Sequence, residues 1–155
     1  MQVLLSGLRS VHNVASCFRS ADGAGVEKVW LSGFTPDVYD KFGSERIQFT
    51  RVSLGAEKSV AWERVDDSAA FLLGLKKLGW QVVAVEQTKT SVNYVDFKPA
   101  DLGKTIFVFG HEVSGVSDEV LDVCDTHIEI PMHGEKNSLN VSVAFGIITH
   151  HFANA

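Results

Sequence analysis

Cysteine is scarce: Cys17 and Cys124 stand far apart in the 155-residue chain, and no CxxC pair occurs. This argues against a disulfide-built fold and predicts free thiols in a reducing, cytoplasmic compartment. Long apolar runs are also lacking. Mean hydropathy is +0.08, yet no stretch approaches the roughly 20 residues of a membrane helix. The uncharged stretch from Asn137 to Thr149 is broken by Ser138, Asn140, Ser142 and Gly146. The opening Met1-Gln-Val-Leu-Leu-Ser has no charged n-region, and no signal peptide is read there. No internal repeat, low-complexity tract or interdomain linker is visible. No membrane contact is expected.

Common ligand signatures are missing as well. There is no GxxxxGK[ST], which removes a P-loop. Gly23-Ala24-Gly25 follows a helical pattern rather than a strand, so it is no dinucleotide fingerprint. His111-Glu112 begins like HExxH, but residue 115 is Gly. His150-His151 has no carboxylate or thiol at ligand spacing, and no metal is expected. The GxSxG of a hydrolase is missing.

What is present is a dense apolar content. Hydrophobic residues make up 45% of the chain and include ten Phe and three Trp, which excludes disorder. The length fits one domain. The net charge is −5, divided unevenly: residues 1–77 carry +1 and residues 78–155 carry −6. Arg9, Arg19, Lys41, Arg46 and Arg51 compose at most a modest phosphate-binding face, not the basic stripe of an autonomous nucleic-acid module.

Short apolar runs alternate with amphipathic segments. Val3–Leu5 reads as a strand. Asn13 is taken as an N-cap, followed by Val14, Cys17, Phe18 and Ala21 at helical spacing and by glycines at 23 and 25. Val26–Ser32 is a strand, and 33–57 reads as a long loop holding a short helix or strand. Trp62–Val65 is a short strand, and Asp67 caps a helix that Gly79 ends. Trp80–Glu86 and Thr105–Phe109 are buried parallel strands. Ser117–Cys124 is a short helix, His127–Ile130 a strand stopped by Pro131, and the last helix starts near Leu139. This order predicts an α/β fold, a mostly parallel sheet with helices on both faces. Ligands then bind beyond the carboxyl ends of the strands. Three loops fall there: 110–115, 131–138 and 86–90.

The residues of the first helix and of two of these loops resemble a known family. Asn13-Val-Ala-Ser-Cys-Phe-Arg19-Ser-Ala-Asp-Gly-Ala-Gly25 is similar to the first motif of the SpoU-type (TrmH-like) RNA 2′-O-ribose methyltransferases of the SPOUT superfamily. Ile106-Phe-Val-Phe-Gly110-His-Glu112-Val-Ser-Gly115-Val-Ser117 resembles the second motif. Ile130-Pro-Met132-His-Gly-Glu-Lys-Asn-Ser138-Leu139-Asn140-Val-Ser-Val-Ala144 resembles the third. The motifs come in family order and span nearly the whole chain. Ala15 stands where many members have glycine, and His111 where an asparagine is frequent.

The resemblance implies S-adenosylmethionine as cofactor, a deep C-terminal trefoil knot, and a homodimer whose active site is completed across the interface. It also implies a single catalytic domain, residues 1–155, similar to members without an N-terminal substrate-binding extension. The expected catalytic residues are Arg19, Asn13, Glu112, Ser138 and Asn140, with Asn13 and Glu112 holding Arg19 or the substrate. The expected cofactor contacts are Val85, Glu86, Gly110, Ile130, Met132, Ser138 and Leu139. The implied reaction is methyl transfer to a ribose 2′-hydroxyl of RNA, with tRNA preferred over rRNA as substrate. Arg19 acts either as a base or as a charged stabiliser of the developing alkoxide; a guanidinium pKa above about 12 favours the second. Two other readings share the fold: a non-catalytic S-adenosylmethionine- or RNA-binding module, and a flavodoxin-like redox carrier.

Overall fold

A computed structural model describes residues 1–155. Seven strands form one sheet: β1 Gln2–Ser6, β2 Lys28–Ser32, β3 Ala61–Val65, β4 Gln81–Val85, β5 Val92–Asn93, β6 Thr105–Phe109 and β7 Thr126–Glu129. Their order is β3-β2-β1-β6-β4-β7-β5, and every neighbouring pair is parallel. The α/β expectation is met, with parallel pairing throughout.

Six helices cover the sheet: α1 Val11–Ala24, α2 Ile47–Ser53, α3 Ala56–Ser59, α4 Ser68–Lys77, α5 Asp118–Leu121 and α6 Val141–Ala153. The strand period of two divides the core between the faces. Val3 and Leu5 of β1 point into the larger cluster with Val14, Cys17 and Phe18 of α1 and Phe145, Ile148 and Phe152 of α6. Leu4 points to the other side with Leu72 of α4 and Val120 near the end of α5. Strand β6 is buried along its whole length, as a strand covered on both faces must be. The segment 33–57, read as a long loop holding a short helix or strand, contains α2 and the first half of α3. The two-residue β5 was too short to show a period.

One boundary differs in a way that bears on function. The N-cap of α1 is Ser10, whose hydroxyl accepts from the Asn13 main-chain N–H at 3.2 Å. Asn13 is therefore not the cap that its residue type suggested. It lies in the first helical turn, with its side chain free for other work. Gly25 closes the helix at φ +66, a left-handed conformation that glycine adopts without steric cost. The last helix is capped by Asn140, whose Oδ1 accepts from Ser142 N at 2.9 Å.

Candidate active site

The carboxyl ends of three adjacent strands, β6, β4 and β7, open on one pocket of about 380 Å³. Its walls are the three loops expected from the sequence. Val85, Glu86, Gly110, Ile130, Met132, Ser138 and Leu139 all line it. The lining also takes in Gln87, His111, Val113, Ser114, Gly115 and Asn137, which fall in the expected loops but were not singled out as contacts, and Phe109, Glu129, Val141 and Ala144, which fall outside them. Most of these sit within a residue or two of a predicted one, so loop proximity was the available signal.

The wall from Gly110 to Val116 is a tight hairpin. His111 and Gly115 exchange main-chain hydrogen bonds of 3.0 and 2.9 Å. The His111 Nδ1 accepts from Val113 and Ser114 N, both at 3.1 Å. Glu86 buttresses it, accepting from Val116 N at 2.9 Å. Two glycines are required by this packing. A Cβ on Gly110 would collide with the main chain of Gly115 and Val116, and one on Gly115, at φ +70, would collide with the Glu86 carboxylate. The opposite wall is different. Between Ile130 and Leu139 the main chain makes one hydrogen bond within the chain, Asn137 C=O accepting from Gln87 Nε2 at 2.8 Å. The half-buried Ile130 and Met132 thus present main-chain donors and acceptors that no other group of the chain engages.

Beside the pocket, three of the predicted catalytic residues join in one network. Glu112 accepts from Arg9 N at 3.0 Å, Ser10 N at 3.0 Å and Asn13 Nδ2 at 3.1 Å. Asn13 Oδ1 in turn accepts from Asn140 Nδ2 at 3.1 Å. Asn13 is 9% exposed, so both ends of its amide are spoken for. The network ties the start of α1, the glycine hairpin and the cap of α6 into one unit. Partial burial pushes the Glu112 carboxyl up, but the donors of Arg9, Ser10 and Asn13 outweigh it and hold it below the ordinary carboxylate range. Burial, reinforced by the Glu112 charge, pushes the Cys17 thiol far up and leaves it inert. Cys17 and Cys124 are both free thiols.

Ser138 lines the pocket and is exposed. Arg19 stands apart. It is exposed on α1, lies outside the pocket lining, and touches neither Asn13 nor Glu112, whose bonding capacity is taken up as described. Six residues of helix separate it from Asn13, about 9 Å along the axis. No cluster of three potential metal-ligating side chains forms, and no helix is long and apolar enough to cross a membrane.

The fold and site define a parallel α/β domain with a nucleoside-sized, loop-walled pocket at the strand carboxyl ends and a carboxylate–amide network at its rim. The family model of the SpoU rRNA methylases matches residues 1–150. Among curated proteins, the tRNA (guanosine(18)-2′-O)-methyltransferase of Aquifex aeolicus is 36% identical over 96% of this chain and 66% of its own length. The 23S rRNA (guanosine-2′-O-)-methyltransferase RlmB of Ralstonia nicotianae is 32% identical over 94% of this chain and 55% of its own. The crystal structure of the A. aeolicus TrmH/SpoU tRNA-modifying enzyme superposes with a TM-score of 0.84 at 32% identity, covering 98% of this chain and 73% of that one. AviRb of Streptomyces viridochromogenes, in complex with AdoMet, superposes with a TM-score of 0.85 at 25% identity, covering 99% and 59%. The chain belongs to the SpoU methylase family. It spans between about half and two thirds of the length of these curated relatives.

Proposed function

We propose that this chain transfers a methyl group from S-adenosylmethionine to a ribose 2′-hydroxyl of RNA, with tRNA the preferred substrate. The observation that carries the reading is the meeting of Asn13, Glu112 and Asn140, 99 and 127 residues apart in the pairs they form, at the rim of a pocket of nucleoside size. Relatives named for 2′-O-methylation of tRNA and rRNA support the reaction, and an AdoMet-bound neighbour supports the cofactor.

The residues present fit that cofactor. Unpaired main-chain groups at Ile130, Met132 and Leu139 suit the edge of an adenine, which needs donors and acceptors rather than charge. Gly110 allows close approach, and Val85, Glu86 and Ser138 close the sides. The cofactor supplies an electrophilic methyl on a sulfonium sulfur. The protein aligns the acceptor oxygen and manages its proton. Glu112 fixes Asn13, Asn13 in turn fixes Asn140, and Asn140 and Ser138 position substrate at the start of α6. Arg19 stays charged, binds a substrate phosphate and stabilises the developing alkoxide. Its place outside the pocket suits a site completed by a second copy of the chain, and we assign a homodimer as the working form.

Residues 1–155 act as one catalytic domain in the cytoplasm, and their C-terminal segment threads a loop to form a trefoil knot. The segment after β5 packs on α6, a proximity that such threading requires: Tyr94 meets His151 with ring centroids 4.9 Å apart, and Phe97 meets Phe152 at 5.9 Å. The function is tested by transfer of tritiated methyl to bulk RNA, followed by nucleoside mapping. The expected product is a 2′-O-methylnucleoside in the tRNA fraction; label on a base, or none, refutes the reading.

A further inference from the structure

A second cleft, of about 670 Å³, lies beyond the glycine hairpin from the pocket already described, lined chiefly by Ser6, Arg9, Phe34, His111, Ser114 and Ser117. His111, Ser114 and Gly115 line both concavities, so the hairpin is a partition between two neighbouring sites. The cleft sits past the carboxyl ends of β1, β2 and β6.

Phe34 is its one apolar wall and is 90% exposed. That exposure is not a loose loop. The turn that carries Phe34 is bolted down on both sides. The buried Thr35 hydroxyl lies 3.0 Å from Leu5 O and 2.7 Å from Ser32 O and accepts from Leu8 N at 3.1 Å. The Arg64 guanidinium donates to Gly33 O at 2.9 Å and Thr35 O at 2.7 Å. Gly33 takes φ +60, which lets the strand turn sharply. Folding therefore fixes the main chain from which a bare aromatic ring projects into water, a placement that contributes nothing to the core. Arg9 faces the same cleft. Its side chain enters none of the four ion pairs and makes no hydrogen bond, whereas its main-chain N–H is fixed to Glu112. A ring and an uncommitted cation are thus carried into one cleft on main chain that the fold fixes, that of Arg9 by the catalytic network itself.

An aromatic face stacks any base, a guanidinium meets a phosphate, and serine and histidine side chains suit base edges and 2′-hydroxyls. A self-interface would want a more apolar lining than one phenylalanine among polar residues. We infer that this cleft seats one unstacked nucleotide of the RNA strand beside the one being methylated, its base on Phe34 and its phosphate on Arg9. The inference rests on the proposed RNA reaction and names where that strand runs.

The test compares Phe34→Ala, Phe34→Trp and Arg9→Gln with the wild type. Substituting Arg9 leaves its main-chain N–H on Glu112. At saturating S-adenosylmethionine, Phe34→Ala is expected to raise KM for tRNA roughly 5- to 150-fold, the contribution of one stacked base, with kcat and cofactor affinity by calorimetry little changed. Arg9→Gln is expected to weaken binding and lower the salt-dependence slope by about one. Phe34→Trp keeps KM near wild type and gains fluorescence that is quenched by a mixed-sequence single-stranded oligoribonucleotide, above the background of Trp30, Trp62 and Trp80. An unchanged KM in Phe34→Ala overturns the inference, as does a change in its sedimenting mass, which would make the ring a contact between copies. Should the wild type methylate no RNA, the proposed reaction fails, and the Phe34→Trp titration alone decides the cleft: quenching sustains it and its absence refutes it.

Discussion

Glu112 draws two main-chain N–H groups and an amide onto one carboxylate, and that bonding has a pH signature. Its folded-state value lies below the ordinary one. Such a group adds stability above the unfolded value of about 4.3 and loses it as pH falls through the lowered value. The wild-type melting temperature should therefore drop from about pH 5 downward. Glu112→Gln should be less stable at pH 7 by about 1.5–3 kcal/mol, the scale of hydrogen bonds to a charged group, and should show a flatter acid limb in calorimetric scans. Arg19 gives the opposite expectation. It is exposed and unbonded, so Arg19→Ala should melt like the wild type and bind S-adenosylmethionine with unchanged affinity, while methyl transfer falls at least 100-fold, the scale of one lost electrostatic donor. Transfer at near wild-type rate would remove Arg19 from the reaction. At this scale the sequence was legible where a motif fixes residue type. It did not reveal that Asn13 bonds to Glu112 and Asn140 rather than to Arg19, because side-chain partners are set by elements 99 and 127 residues away.

Among the elements, the Gly110–Gly115 hairpin does the most with the fewest side chains. Its shape depends on two missing Cβ atoms and on Glu86 from the neighbouring strand. Gly110→Ala should cost about 1–3 kcal/mol through overpacking against main chain. It should also lower cofactor affinity at least tenfold by shifting the hairpin off the pocket, as isothermal calorimetry would show. A milder substitution such as Val113→Ala, at an exposed position, should leave the stability unchanged. The strong elements were readable from periodicity: α4 is capped by Asp67, whose side chain accepts from Ala70 N at 2.9 Å, and β6 carries the expected apolar run. Helices α2 and α3 were read only as an unplaced short helix or strand, because seven- and four-residue segments barely complete a face on which a period can show. Strand β5 exists only because β7 offers it an edge.

For the molecule as a whole, the distance between Arg19 and the pocket gives the sharpest test. If two copies build each site, chains carrying Arg19→Ala and chains carrying Asn140→Ala are each inactive alone. Mixed after partial unfolding and refolding, they should recover about a quarter of wild-type activity, since half the dimers are mixed and each holds one intact site. No recovery would place Arg19 and Asn140 in the same copy. Sedimentation should show twice the 16.9 kDa chain mass for the active species.

The sequence alone determined the class of fold and the loops that face the ligand, because helix and strand periods and glycine positions are local properties of a chain. It also determined which residue types stand ready for chemistry. Only the tertiary structure decided their partnerships. Parallel pairing brings the ends of β6, β4 and β7 side by side, the return of α6 onto α1 sets Asn140 against Asn13, and the pinned turn after β2 leaves Phe34 bare. Such contacts form between residues far apart in the chain, and no local pattern encodes them.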